Sequence, residues 1–281
     1  MIDCETEIAQ GRRFAFGRNW LKFGQLIDEE RLALARKSLE SALGTSDLTG
    51  RTFLDIGCGS GLFSLAALRM GARVRSFDYD ADSVRAAEKL RQAFAPESDW
   101  SIERASILDT AFVQKLDQAD IVYSWGVLHH TGDLWAAMEA ACGLVASGGT
   151  LYLSIYNDQG AESRIWTSVK RQYNTSGAVT RQLLLAGSLL YLGRYYPLSA
   201  ARRLAKRARG TETKTSPRRR GMSVKHDLVD WVGGYPFEVA APEKIFSFCR
   251  ERGFQLRHLK TCGGGIGCNE FVFTLGSTTG G

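Results

Sequence analysis

The stretch TFLDIGCGSGLFSLAA, Thr52 to Ala67, sets Gly57, Gly59 and Gly61 between a short apolar run and an apolar helical segment. An apolar run that stops at glycines and resumes at helical spacing reads as strand, tight loop and helix. A P-loop reading fails, because no lysine follows Gly61. A dinucleotide fingerprint needs GxGxxG, whereas this loop reads GxGxG with Leu62 next. With Asp55 included, the pattern is D-x-G-x-G-x-G. Main chain that bare suits close approach of a bulky nucleoside–amino-acid conjugate, and the carboxylate favours an ammonium group nearby. The alternative is that the glycines form only a structural turn.

The alternation continues on both sides of the loop. DEERLALARKSLESALG puts Leu32, Ala35, Leu39 and Leu43 on one helical stripe, with Asp28 as N-cap and Gly44 as stop. ARVRSFDYD reads as a second strand, and DADSVRAAEKLRQAF as a helix with Asp80 near its cap. WSIERASI and ADIVYSW follow as third and fourth strands. GDLWAAMEAACGLVASGG reads as a helix with Leu134, Met138, Ala141 and Val145 inward, and TLYLSIYN as a fifth strand. Strands alternating with helices at short spacing mean a mostly parallel sheet with right-handed crossovers. After Asn157 the pattern stops. A structureless loop from there to Ala241 is improbable in a compact domain, so helices are expected in AESRIWTSVKRQY, AVTRQLLLAGSLLYLGRYY and PLSAARRLAKRA, with turn chemistry in GTETKTSPRRRG. PEKIFSFCRERG is a last helix, and FQLRHLKT and CNEFVFTL a terminal strand pair. The organisation is therefore an N-terminal helical lid (1–49), a nucleoside-binding core (50–156), a helical and basic insertion (157–241), and a helix and strand pair that complete the sheet (242–281).

At 281 residues, with 44% hydrophobic and 23% charged residues, the composition is that of a globular protein. The acidic start MIDCETEIAQ has no apolar core of a secretory signal. No apolar run approaches the roughly 20 residues of a membrane-spanning helix. A cytoplasmic protein is expected. The six cysteines show no CxxC pair and no zinc-like spacing, so free thiols and no metal site are expected. Residues 201–225 hold ten lysines and arginines against Glu212, a local charge of +9 within a net +6. The rest of the chain is thus slightly acidic, unlike an evenly basic nucleic-acid binder.

Candidate binding residues gather at the C-terminal ends of the strands, where open parallel sheets bind ligands. Asp78, ending the second strand, suits the two hydroxyls of a ribose, and Tyr79 offers a flat face to a purine. Ser106 and the amide of Ile107 follow the third strand and are placed to read an adenine edge. Trp125 ends the fourth strand in SWGVLHH. On these residues the chain resembles the class I S-adenosylmethionine-dependent methyltransferases, from about Arg51 to Asn157. DIVYSWGVLHH and LVASGGTLYLSIY are similar to the corresponding motifs of the ubiquinone/menaquinone-biosynthesis-type small-molecule methyltransferases. The resemblance implies an α/β fold with a Rossmann-like seven-stranded, mostly parallel sheet and one antiparallel terminal strand. It also implies S-adenosylmethionine as methyl donor and S-adenosylhomocysteine as product. Asp55, Gly57, Gly59 and Gly61 would then line the methionine and ribose, Asp78 the ribose and Tyr79 the adenine. Ser106 stands where many relatives carry an acid.

Methyl transfer from a sulfonium is an in-line displacement, so the protein must align the partners and free the nucleophile's lone pair. A hydroxyl acceptor is helped by a base, for which His129 and His130 are the candidates. The alternative is that one histidine binds a backbone carbonyl and the other packs on the cofactor. Tyr156 and Asn157 end the fifth strand and are expected to face the acceptor. VKHDLVDWVGGYPFE adds His226 as a further candidate base, with Trp231 and Tyr235 toward the substrate. RFAFGRNWLKFG reads as a lid carrying Phe14, Phe16, Trp20 and Phe23 over the cofactor, or else as a strap packed on the sheet. The [DNS]PP[YF] stretch of exocyclic-amine methylases and the Pro-Cys of base C5 methylases are missing after the fourth strand. The favoured function is methylation of a small-molecule hydroxyl that is phenolic, lipid-linked or sugar-like. The alternatives are an RNA (tRNA) methyltransferase using the basic insertion, or a non-catalytic S-adenosylmethionine binder. The insertion reads as an acceptor cap or an oligomerisation surface, and residues 181–225 as a contact for an anionic membrane or RNA.

Overall fold

The computed structural model describes residues 3–193, 229, 231–263 and 265–276. His226, the basic run of residues 201–225, and the helix expected in PLSAARRLAKRA lie outside the described residues. Helices α1 (Cys4–Ala9), α2 (Phe16–Gly24) and α3 (Glu29–Leu43) precede the sheet. Then come β1 (Thr52–Ile56), α4 (Leu62–Arg69), β2 (Arg73–Asp78), α5 (Ala81–Phe94), β3 (Trp100–Arg104), α6 (Thr110–Val113) and β4 (Ala119–Trp125). A 3-10 turn (Leu128–His130), α7 (Leu134–Gly143) and β5 (Val145–Tyr156) complete the first half. Helices α8 (Ala161–Thr175) and α9 (Ala178–Gly193) belong to the insertion, and α10 (Pro242–Glu251), β6 (Phe254–Lys260) and β7 (Cys268–Leu275) close the chain.

The seven strands run in the order β3-β2-β1-β4-β5-β7-β6. The first five are parallel, and β7 is antiparallel to both β5 and β6. Strand order reverses between β1 and β4, which opens a crevice at their C-terminal ends. Successive residues face opposite sides, as the two-residue period requires. Leu54 and Ile56 join Val122, Met138, Leu151, Phe271 and Phe273 on one face, while Phe53 joins Leu39, Leu65, Tyr123, Tyr152 and Val272 on the other.

The end signals act as expected in α3 and α5. The Asp28 carboxylate accepts from the Arg31 amide, and Gly44 takes a left-handed conformation that lets its N–H reach Glu40. Asp80 caps α5 through the Asp82 amide.

Two expectations need correction. Val145 does not continue α7 but pairs with Ala119 as the first residue of β5, because a bulge between Ala119 and Ile121 absorbs the SGG turn residues into the strand. The third strand stops at Arg104, since the Asp109 amide and the Ser106 carbonyl bond in a turn before α6. Helix α6 itself, nucleated by Asp109 bonding the amides of Ala111 and Phe112, was not expected.

Candidate active site

Each glycine of the loop is bare for its own reason. Gly57 has φ +76°, and a Cβ there would lie 2.3 Å from a methyl of Val127, just before the 3-10 turn. Gly59 has φ +56°, and a Cβ there would lie 3.0 Å from the Trp20 indole. Gly61 opens α4 against Trp100 and Ala87, with 2.9 Å to the indole of Trp100. The first two form a left-handed cradle of main chain at the crevice, their Cβ positions taken by Val127 and Trp20, and the third seats the helix on the sheet.

Beneath the loop runs a buried polar chain. Ser64 Oγ donates to Asp55 Oδ2 at 2.5 Å and lies 2.7 Å from Ser76 Oγ, which accepts from Trp100 Nε1 at 2.8 Å. Asp55 is 2% exposed, and burial pushes its carboxyl up to about 7, against the opposing bond from Ser64. Its folded pKa lies above the unfolded value, so the folded state holds the extra proton and stability falls as pH rises from about 4 to 7. The Tm advantage of Asp55→Asn over wild type is expected to grow across that window in melts taken at several pH values. A gap independent of pH would contradict this.

Asp78 stands at the β2 terminus, where Oδ2 accepts from the Gly59 amide at 3.0 Å and Oδ1 from the Asp80 amide at 2.9 Å. Burial raises its pKa to about 6 despite those bonds. The Tyr79 ring lies under the Arg13 guanidinium, whose carbon is 4.9 Å from the ring centre. Ser106 Oγ accepts from the Leu108 amide at 3.1 Å, and Ile107 is buried in the core. Trp125 ends β4 beside Ser154 of β5 and packs at the edge of the second core cluster.

The 3-10 turn after β4 brings together both histidines and Tyr156. His129 is 1% exposed, its Nδ1 accepts from the Tyr156 amide at 3.3 Å, and its Nε2 is buried with no hydrogen-bond partner. Burial, then His130 and Lys170, keep it neutral, so the ring proton is on Nε2. His130 donates from Nδ1 to the Pro236 carbonyl at 2.5 Å, which leaves a lone pair on Nε2. Burial, with Lys170 and Arg13 adding to it, pulls its pKa down to about 3 against that bond. The Tyr156 ring lies 4.3 Å from His129, 5.6 Å from His130 and 5.0 Å from Phe237. Asn157 is tied to β7, where its Oδ1 accepts from Asn269 Nδ2 at 3.0 Å. Glu238 holds this corner by accepting from the amides of Gly132 and Leu134.

The N-terminal segment lies across this rim and meets the insertion there. The Gly17 amide donates to Asp80 Oδ2 at 2.9 Å, and the Phe14 amide to the Tyr235 carbonyl at 2.8 Å. Phe16 sits 4.9 Å from the His130 ring. Arg13 bonds Glu7 and donates to the carbonyls of His130 and Thr131 at 2.8 and 3.3 Å. A cleft of about 250 Å³ remains beside the start of α5, lined by Cys4, Ala15, Arg18, Asp80 and Arg85 among others. Trp231 packs on Trp166 with ring centres 4.1 Å apart.

Two residues of this rim escaped the sequence reading. Arg13 looked like one of several basic residues among aromatics. Lys170 shares the buried stripe of α8 with Ser163 and Trp166, and a lysine in phase with a buried tryptophan was the available signal.

The family described as "Methyltransferase domain" matches residues 27–208, more than half of the chain. The chain belongs to the class I S-adenosylmethionine-dependent methyltransferases. Among curated proteins, this methyltransferase is 30% identical over 125 residues to the ubiquinone biosynthesis O-methyltransferase of Methylobacterium sp. (strain 4-46), covering 44% of this chain and 49% of that protein. It is 34% identical over 110 residues to the protein of the same name from Xanthomonas campestris pv. campestris (strain B100), covering 39% and 45%. The chain spans about half the length of these curated relatives. An O-methyltransferase family protein from Burkholderia thailandensis shares the fold at TM-score 0.51 and 16% identity, over 88% of this chain and 59% of that one. So does magnesium protoporphyrin IX methyltransferase from Synechocystis PCC 6803 with bound SAH, at TM-score 0.50 and 14% identity, over 87% and 83%. The family's donor is S-adenosylmethionine, and the residues present fit it: a left-handed glycine cradle, a carboxylate at the β2 terminus and a tyrosine face beside it.

Proposed function

We propose that the methyltransferase places a methyl group on a hydroxyl oxygen of a small aromatic acceptor. The observation that carries this reading is the corner made by His129, His130 and Tyr156, which adjoins the glycine cradle through Val127 and holds both imidazoles neutral. A neutral His130 with a free Nε2 accepts a hydrogen bond from a hydroxyl and aims its oxygen. The names of the curated relatives, matched over the cofactor half, support oxygen as the target.

When bound, the cofactor supplies an activated sulfonium methyl. Asp78 would hold the ribose, Gly57 and Gly59 would admit the methionine portion, and Tyr79 would meet the adenine. Phe14, Phe16 and Arg13 close over the His130 and Tyr79 rim and would keep water from the methyl group. Tyr156 and Phe237 give flat walls to an aromatic acceptor.

No helix among the described residues is long and apolar enough to cross a membrane. On α9, however, Val179, Leu183 and Leu190 form a strongly exposed stripe just before the basic run. Apolar and polybasic signals in sequence favour an anionic bilayer surface over RNA as the contact of residues 181–225.

The test supplies methyl-labelled S-adenosylmethionine with catechols and simple phenols in one arm and bulk tRNA in another. Label in a phenolic ether, and a fall of about 10²-fold or more in His130→Ala, is expected. Label in tRNA alone, with activity falling steeply with salt, would replace this reading with the RNA alternative.

A further inference from the structure

Lys170 is the described lysine that the fold treats least like a lysine. It is fully buried on α8, with its ammonium against the faces of Trp231 (4.4 Å) and Phe237 (4.6 Å). Nζ donates to the Trp231 carbonyl, and among the described residues no carboxylate pairs with it. Burying an ammonium without a counter-charge is costly, and a methionine would fill the same stripe beside Trp166 without that cost. One carbonyl also leaves two of its three donors unused.

Its surroundings supply what a bound oxyanion needs. Phe237 joins Lys170 to Tyr156, and Tyr156 pairs in register with Cys268, whose thiol is near enough to affect the lysine. Both histidines of the turn feel its charge. His129 Nε2–H, on the ring edge away from its bond to Tyr156, is a second buried donor with no partner. Lys170, with one donor bonded, and His129 Nε2–H, with none, both border the Phe237–Tyr156 pair and together mark a place for an acceptor oxygen. An imidazolium at His130 would stand between Lys170 and Arg13, so the histidine is poorly placed to keep a proton.

We propose that Lys170 takes the proton of a phenolic acceptor and then holds the phenolate for methyl transfer, beside the rings of Trp231, Phe237 and Tyr156. The assignment rests on the O-methyltransferase reading above. The neutral amine forms a new N–H bond as the phenol O–H breaks, giving an ammonium–phenolate pair without net charge change. The phenolate oxygen bonds to the methyl carbon while the methyl–sulfur bond breaks and its electron pair returns to sulfur. The ammonium then releases its proton to water. Burial lowers the lysine to about 7, which makes the neutral amine available near neutral pH. The titratable groups facing it are His129 and His130 from the turn and Cys268 from β7.

The experiment uses the full chain, saturating S-adenosylhomocysteine and 4-nitrophenol, whose phenolate is yellow. Wild type is expected to bind the dye as phenolate at a pH below the dye's own pKa. Lys170→Met is expected to lose that band while keeping S-adenosylhomocysteine affinity. Lys170→Arg is expected to keep the band but lose about 10²- to 10⁴-fold in phenol methylation, because arginine holds its proton. The wild-type ionisation shift stands alone as evidence if Lys170→Met does not fold. A wild type that binds S-adenosylhomocysteine without shifting the dye, or an equal band in Lys170→Met, overturns the lysine assignment alone. A wild type that binds no S-adenosylhomocysteine overturns the methyltransferase reading and the assignment with it.

Discussion

Asp78→Ala is expected to weaken S-adenosylhomocysteine binding by about 100-fold or more, measured by calorimetry on a folded variant. The carboxylate does two things at the β2 terminus. On the proposed reading it meets the ribose hydroxyls, and it accepts from the Gly59 amide at 3.0 Å, fixing the second bend of the cradle. A hydrogen bond to a charged group contributes about 1.5–3 kcal/mol, so losing two from the ribose hydroxyls costs roughly 3 kcal/mol at least. That energy corresponds to about a hundredfold in affinity. A thermal melt checks that the variant stays folded, since the carboxylate also accepts from the Asp80 amide and the Ser83 side chain. Asp78→Asn keeps one acceptor oxygen and should fall between the two. Unchanged affinity in the alanine variant would mean that the ribose lies elsewhere.

The second large effect concerns stability. Gly57→Ala is expected to cost about 2–5 kcal/mol, combining a left-handed backbone penalty of about 1–2 with overpacking of about 1–3. The added carbon would overlap both methyl groups of Val127, at 2.3 and 2.6 Å, and Val127 leads directly into the histidine turn. A Tm drop of several degrees follows for a chain of this size. The double variant Gly57→Ala/Val127→Ala should recover much of the overlap share, the Val127 Cβ still lying 2.9 Å away, and leave the backbone share. If Val127→Ala restores nothing, the glycine serves its conformation alone and the loop and the turn are not in mechanical contact.

The sheet was legible because its signals are local. Apolar runs that break at glycines, aspartate caps at Asp28 and Asp80, and Pro242 and Gly253 around the last helix each act within a few residues of themselves. Asp78 and the histidines were legible by position, since strand ends in a parallel sheet share one rim. What escaped depends on distant packing. The SGG turn before β5 looks like a helix stop, yet the β4 partner strand draws it into the sheet. Arg13 is meaningful only because Tyr79, His130 and Thr131, far apart in the chain, converge on it. Lys170 resembles any helix lysine until Trp231 and Phe237 enclose it. The inward turn of Asp55 toward Ser64 likewise depends on α4 packing over β1.

Arg13 also bears on the sequence of events in a catalytic round. One guanidinium rests on the Tyr79 ring and is bonded to the carbonyls of His130 and Thr131, while the adjacent Phe14 amide is fastened to the insertion at Tyr235. A single latch therefore serves two doors. If donor and acceptor both bind against this latch, each is expected to tighten the other by the same factor, which titrating either ligand with and without the other measures.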